Sequence, residues 1–384
     1  MVVYWLSFLI SLALIGFTEK KHKVTFMFAS VVAILIPCLV AALRAETVGT
    51  DVGIYVKPMF DAANKADNFS QYWNSFWFSK WRFRFVYEHE IGFSAMLYGV
   101  TKATGSLGWV LFLIQALTIV PIYSALAMDR KNIPVWPGMM VYYFAYYNST
   151  LNMMRQWIAM GFLLLAFQML RRKKYFPCLL IMVVAFLFHY STLIILPIFA
   201  VYFFLRLFRK KTLVEGNLRI SGKTFMVLLV FAAGIVLLMN LNMILSLIVK
   251  LGMTRFTPYL SGNALTMQIG QIIIRLPLLC MVLVSWPQFR KATPEAPFFL
   301  AILLVELLAA QMISIAEAAL RISYYFAFFS IIIVPYLFKY QKTTFHKRGV
   351  SVVLIGFYVF YWFYLYVYHG SCETLPYRFS FMVR

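Results

Sequence analysis

The stretch from Asn152 to Tyr190, NMMRQWIAMGFLLLAFQMLRRKKYFPCLLIMVVAFLFHY, decides the fold. It contains two apolar runs, 152–170 and 175–189, divided by Arg171, Arg172, Lys173 and Lys174. A membrane helix needs about 20 mostly apolar residues, with a range of roughly 17–25. Four consecutive cations cannot rest in hydrocarbon, and basic loops face the cytoplasm. The stretch therefore reads as two membrane helices joined by a cytoplasmic turn. Asn152, Arg155 and Gln156 then open the first helix on the outer side. His189 and Tyr190 close the second on that same side.

Working outward, the same reading gives further spans near 2–17, 24–43, 107–128, 132–148, 191–208, 224–240, 264–285, 296–316, 322–338 and 349–367. The expected fold is all-α: a polytopic helical membrane protein with about 12 transmembrane helices, in a range of 10–14. Short re-entrant or interfacial segments are expected too, because 89–104 and 241–252 are apolar or amphipathic without clearly crossing. Composition agrees. Of 384 residues, 63% are hydrophobic and 12% charged, with a mean hydropathy of +0.80. A soluble domain carries about 25% charge. The apolar runs are continuous rather than alternating, which excludes a membrane β-barrel. The chain reads as a single integral membrane domain over 1–384, with 44–106 as its largest external loop region.

The net charge of +22 comes from 35 Lys and Arg against 13 Asp and Glu. In a soluble protein it would suggest nucleic acid. Here no nucleic-acid partner is expected. Loops 18–23, 129–131, 171–174, 206–223, 286–295 and 339–348 hold 21 of the 35 cations, as cytoplasmic loops should. This assignment puts both termini outside. The four Cys have no metal-ligand or disulfide spacing, so no metal site is expected. Trp73, Trp77 and Trp81 recur every four residues within 44–106, among several Phe. They read either as an interfacial helix with an aromatic belt or as rings that stack on sugars.

Polar groups beside a span are costly and therefore functional candidates. Arg44, Gly49, Asp51 and Tyr55 cluster just past the second span. Arg44 can grip a phosphate and Asp51 can act as a base, or the two can simply tie their loop together. Arg155 stands at a helix N-terminus, where free N–H groups attract anions. Asn152 and Gln156 flank it. His189 can donate a proton or a hydrogen bond. Glu317 and Arg321 form an i,i+4 pair, with Tyr324 following. Arg255, Tyr377 and Arg378 complete the outer set. Glu306, mid-span, reads as a buried contact to another helix. Many outer cations and few acids suggest an anionic ligand with a lipid body, such as a lipid diphosphate.

These residues carry a resemblance. Arg44, Gly49–Asp51 and Tyr55, then Glu90-Ile-Gly92-Phe93, then Asn152, Arg155, Gln156 and Ala159, then Phe188–Leu193, resemble the motifs of the EpsG family of exopolysaccharide membrane proteins. Arg321, Tyr324 and Pro376-Tyr377-Arg378 fit more loosely. The family is similar to Wzy-type polysaccharide polymerases, and the resemblance covers about 40–380. It implies a glycosyltransferase of the bacterial cell membrane that joins undecaprenyl-diphosphate-linked oligosaccharide repeat units at the outer face. The product would be exopolysaccharide, capsule or O-antigen. No cofactor, metal or nucleotide is implied. A flippase and a chain-length regulator of the same pathway are implied partners, with the lipid bilayer as surroundings. Asp51, Glu90 and His189 become the catalytic candidates. Arg44, Tyr55, Asn152, Arg155, Gln156, Arg255, Glu317, Arg321, Tyr324, Tyr377 and Arg378 become the substrate-binding ones. A flippase for the same lipid, or another lipid-dependent glycosyltransferase or ligase, are the rival readings.

Overall fold

In the computed structural model, residues 1–79, 82–207, 212–215, 218–250, 266–314 and 320–382 are described. The chain forms two compact units, one of Met1–Leu193 with Gly356–Arg384 and one of Ile194–Ile355.

The first unit contains α1 (Val2–Thr18), α2 (Lys23–Ala42), α3 (Lys57–Lys65), α4 (Phe69–Trp73), α5 (Ile91–Thr104), α6 (Leu107–Ala127), α7 (Trp136–Val141), α8 (Tyr147–Thr150), α9 (Met154–Arg171) and α10 (Tyr175–Phe188). Residues Tyr142–Tyr146 form a π-helical turn between α7 and α8. The helices α1, α2, α6, α9 and α10 run between two ends of this unit. At one end Arg130 lies 4.5 Å over the Phe26 ring, and Asp129 takes Arg171 at 2.5 Å and Arg172 at 3.1 Å. The basic turns 20–23, 130–131 and 171–174 thus gather where α2 begins, α6 and α9 end, and α10 begins. At the other end Tyr147 donates to the Pro37 carbonyl at 2.6 Å, and Arg44 lies against Met154. With 20 residues in α2, the two ends stand about 30 Å apart, at 1.5 Å per residue.

The core of this unit is aromatic and partly polar. Tyr142, Tyr143, Tyr147 and Trp157 are all fully buried. Asn148 donates to Thr374 Oγ1 at 2.8 Å and accepts from Trp362 Nε1 at 2.8 Å. Tyr366 donates to the Ala145 carbonyl at 2.6 Å. Buried polar atoms must be paired, so these bonds hold the C-terminal segment to α7–α8.

The second unit contains α11 (Ile195–Leu207), the hairpin strands Thr212–Glu215 and Leu218–Ser221, α12 (Gly222–Met239), α13 (Leu241–Lys250), α14 (Ile269–Ile273), α15 (Leu276–Val284), α16 (Trp286–Ala292), α17 (Ala296–Ala309), α18 (Leu320–Ala327), α19 (Ser330–Lys339) and most of α20 (Thr344–Trp362). Glu306 on α17 pairs with Arg275 at 3.0 Å, and both side chains are only 10% exposed. A charge at this depth needs such a counter-charge.

The helical membrane class holds, and the count of about twelve spans is not confirmed. Among the described residues, six helices are long and apolar enough to cross a bilayer, or seven if α14–α15 with α16, bent by 76°, is one span. The expectation was about twelve. Helices do lie over the other apolar stretches, but α1 and α10, of 17 and 14 residues, are too short to meet the length test alone. The 89–104 segment forms α5, which has only 14 residues.

The interfacial helix expected through Trp73, Trp77 and Trp81 is also corrected. After α4 the chain forms a hairpin, β1 (Phe76–Ser79) paired antiparallel with β2 (Arg82–Phe85). The register sets Phe76 against Phe85 and Phe78 against Phe83, so these four rings share one face. Trp77 and Arg84 share the other. Phe and Trp favour strands, and the alternation of side chains here has a period of two. Trp81 falls outside the described residues.

Candidate functional site

The end of the first unit away from its basic turns collects most of the predicted site residues. The loop after α2 is shaped by Gly49, whose φ of +86° belongs to the left-handed region. A Cβ there would stand 3.0 Å from the Leu151 carbonyl oxygen. Just before α9, Asn152 Oδ1 accepts from Thr50 Oγ1 at 2.7 Å and from the Asp51 backbone N–H at 3.0 Å. Two distant motifs are thereby locked together.

Glu90 precedes α5, and its backbone carbonyl accepts from Ser94 N–H at 3.0 Å. Gly92 lets α5 press against α10, since a Cβ there would stand 2.7 Å from the Leu187 carbonyl oxygen. This close approach delivers the Glu90 carboxylate to His189, where α10 has just ended. Glu90 Oε1 lies 2.8 Å from His189 Nδ1 and accepts from the Tyr190 backbone N–H at 3.3 Å. Its Oε2 accepts from Arg155 Nη1. One carboxylate, 4% exposed, thus joins an arginine and a histidine that lie far away in the chain. Burial pushes this carboxyl up, but the His189 hydrogen bond and the Arg155 charge outweigh it and bring it down to about 2.

An aromatic column continues from Arg155. Its guanidinium lies 5.0 Å over the Tyr55 ring. Tyr55 stacks on His89 at 5.3 Å, and His89 stacks on Trp77 at 5.7 Å with planes 7° apart. Trp77 Nε1 donates to the Ile54 carbonyl at 3.0 Å. The Tyr55 hydroxyl faces Asp51 and Arg155; burial, then the Asp51 charge, push the phenol well above its usual value. Burial, then Arg155, pull His89 down to about 3, so its ring is neutral.

Arg44 sits deeper, 3% exposed, with Nη2 3.8 Å from Met154 Sδ. Its Nε and Nη1 have no hydrogen-bond partner among the described residues. Burial lowers its pKa, opposed by the phenols of Tyr4, Tyr147, Tyr377 and Tyr55. A strand-like contact covers it: Ala45 N–H donates to the Arg378 carbonyl at 2.8 Å, and Ser380 N–H to the Leu43 carbonyl at 2.9 Å.

The structure therefore brings Arg44, Asp51, Tyr55, Glu90, Asn152, Arg155 and His189 to one end of one unit. Gln156 is buried beside Arg155 in the chain. Tyr377 donates to the Val40 carbonyl at 2.8 Å, and Arg378 contributes its backbone while its side chain is exposed. Arg321, exposed, and Tyr324, half-buried, belong to the second unit. Arg255 and Glu317 fall outside the described residues, so the expected Glu317–Arg321 pair does too. Among the described residues no three His, Cys, Asp or Glu are grouped to hold a metal ion. Sequence reasoning missed His89 and the part played by Trp77.

The order of these motifs matches a family model. The EpsG family model spans residues 27–379. The chain belongs to the EpsG family. No curated protein and no solved structure matches it. An EpsG family member with several membrane helices is a multi-pass membrane protein of exopolysaccharide biosynthesis.

Proposed function

We propose that this EpsG family protein is a polysaccharide polymerase of the bacterial cell membrane. It joins undecaprenyl-diphosphate-linked oligosaccharide repeat units at the outer face. The observation that carries this reading is the Glu90 carboxylate shared by Arg155 and His189, at the end of its unit opposite the basic turns. Basic turns face the cytoplasm, so the opposite end faces outward. In this reading both termini lie outside and the shorter apolar helices also cross.

The geometry supports one division of labour. Glu90, held ionised, is too weak a base to take a hydroxyl proton. It instead accepts from His189 Nδ1–H and so fixes the tautomer whose Nε2 is free. His189 Nε2 then removes the proton of the acceptor sugar hydroxyl. The acceptor oxygen forms a bond to the anomeric carbon of the donor chain. The bond from that carbon to the lipid diphosphate breaks, and its electron pair leaves with the phosphate. Arg155 and the buried charge of Arg44 make this end positive and stabilise that departure. Asp51 and Tyr55 hold Arg155 in place beside Glu90.

A strain lacking the protein tests the reading against a flippase. Single, unpolymerised repeat units at the cell surface support the polymerase. Their absence from the surface, with repeat units retained inside, contradicts it.

A further inference from the structure

His89 is 5% exposed, and neither of its ring nitrogens has a hydrogen-bond partner among the described residues. Leaving such groups buried and unmet is costly, so an orphaned pair calls for a ligand or a bound water. Tyr55 and Trp77 cover the two faces of the ring. Only the edge, which carries both nitrogens, can receive anything. A neutral imidazole offers one donor and one acceptor. The two nitrogens point apart, so the edge takes one partner that accepts and another that donates, and two hydroxyls of a sugar supply both. An ionised phosphate supplies acceptors alone, so it meets the N–H and leaves the other nitrogen unpaired. Arg84 stands opposite Trp77 in the hairpin register, and its Nε is likewise buried without a partner. Trp77, its register partner, stacks on His89, which places Arg84 on the same face of the hairpin.

We propose that His89 is a sugar-contacting residue: its ring edge, with Arg84 beside it, binds hydroxyls of the lipid-linked oligosaccharide next to Arg155. The proposal rests on the polymerase reading and deepens it. It separates the site into an anionic part, Arg155 and Arg44, and a neutral part on the inner face of the hairpin. Trp77 and Tyr55 keep the His89 ring upright between them.

The test uses the full-length protein, purified in detergent, and two probes. One is the lipid-linked repeat unit extracted from cells lacking the protein. The other is undecaprenyl diphosphate, which has the same anion and no sugar. His89→Phe keeps a flat ring in the column and loses both nitrogens. It is expected to bind the sugar-bearing lipid about tenfold more weakly, the loss of about one good hydrogen bond. Its affinity for undecaprenyl diphosphate stays within about twofold. His89→Gln, which restores a donor and an acceptor, regains most of the lost affinity. Unchanged binding of the sugar-bearing lipid by His89→Phe overturns the proposal and leaves the nitrogens to water. Equal weakening for both probes also overturns it, because that is a structural role. Should His89→Phe not fold, Arg84→Leu carries the same comparison, and the same two outcomes decide. A wild-type protein that binds the repeat unit but never extends it refutes the polymerase reading and leaves the His89 comparison intact.

Discussion

Glu90→Gln removes one charge and keeps the shape of the side chain, so it isolates what the carboxylate contributes. The Glu90 side chain is 4% exposed and meets both Arg155 and His189. Its carboxyl falls from 4.5 to about 2. At about 1.4 kcal/mol per tenfold in proton affinity, that is about 3 kcal/mol in favour of the folded, ionised state. The sign follows from the direction. A carboxyl depressed in the folded protein stabilises it fully above pH 4.5, and the contribution fades as pH falls toward 2. Glu90→Gln also strands the Arg155 cation, for which losses of about 3–5 kcal/mol are typical of buried pairs. The assay is denaturant unfolding of the purified protein at pH 7. A loss of about 3 kcal/mol is expected. Adding Arg155→Gln should cost less than it does alone, with a coupling of about 1 kcal/mol or more. Glu90→Gln unfolding within about 0.5 kcal/mol of wild type, or strict additivity of the two changes, would refute the reasoning.

Further outcomes follow from the same contacts. Arg44→Met replaces a buried cation lacking partners at Nε and Nη1, so thermal stability should stay level or rise while chain extension falls about tenfold or more. Gly92→Ala forces a methyl to within 2.7 Å of the Leu187 carbonyl; chain extension should drop together with a loss of about 1–3 kcal/mol, measured by unfolding. Arg275→Met leaves Glu306 buried and uncompensated, so the melting temperature should fall by several degrees, and adding Glu306→Leu should restore most of it. A melting temperature unmoved by Arg275→Met would show the pair to be incidental.

Much of this site was legible because charge beside a span is rare. Arg44, Arg155 and His189 stand out against apolar neighbours, and each proved to lie at the same end of its unit. The shared carboxylate was not legible. Glu90 is 65 residues from Arg155 and 99 from His189, and only the α5–α10 contact through Gly92 brings them together. His89 escaped notice because it sits among Glu88 and Glu90, where polarity is no anomaly. The hairpin was misread from its Trp spacing. The four-residue recurrence of Trp suggested a helix, while Phe76, Phe78, Phe83 and Phe85 already carried the period of a strand pair. A count of about twelve spans needs the shorter apolar helices, α1 and α10 among them, to cross as well. Hydropathy marks α1 and α10, but α1 stops at the turn before Lys23 and α10 at the extended backbone of His189.

One measurement bears most directly on the account. The purified protein is given lipid-linked repeat units with no nucleotide sugar, and chain length is followed by gel ladder. The account predicts chains that lengthen with time in the wild type. His189→Ala should slow extension by about a hundredfold or more, the usual worth of a general base, while repeat-unit binding is retained. Full extension by His189→Ala, or no extension by the wild type, would contradict it.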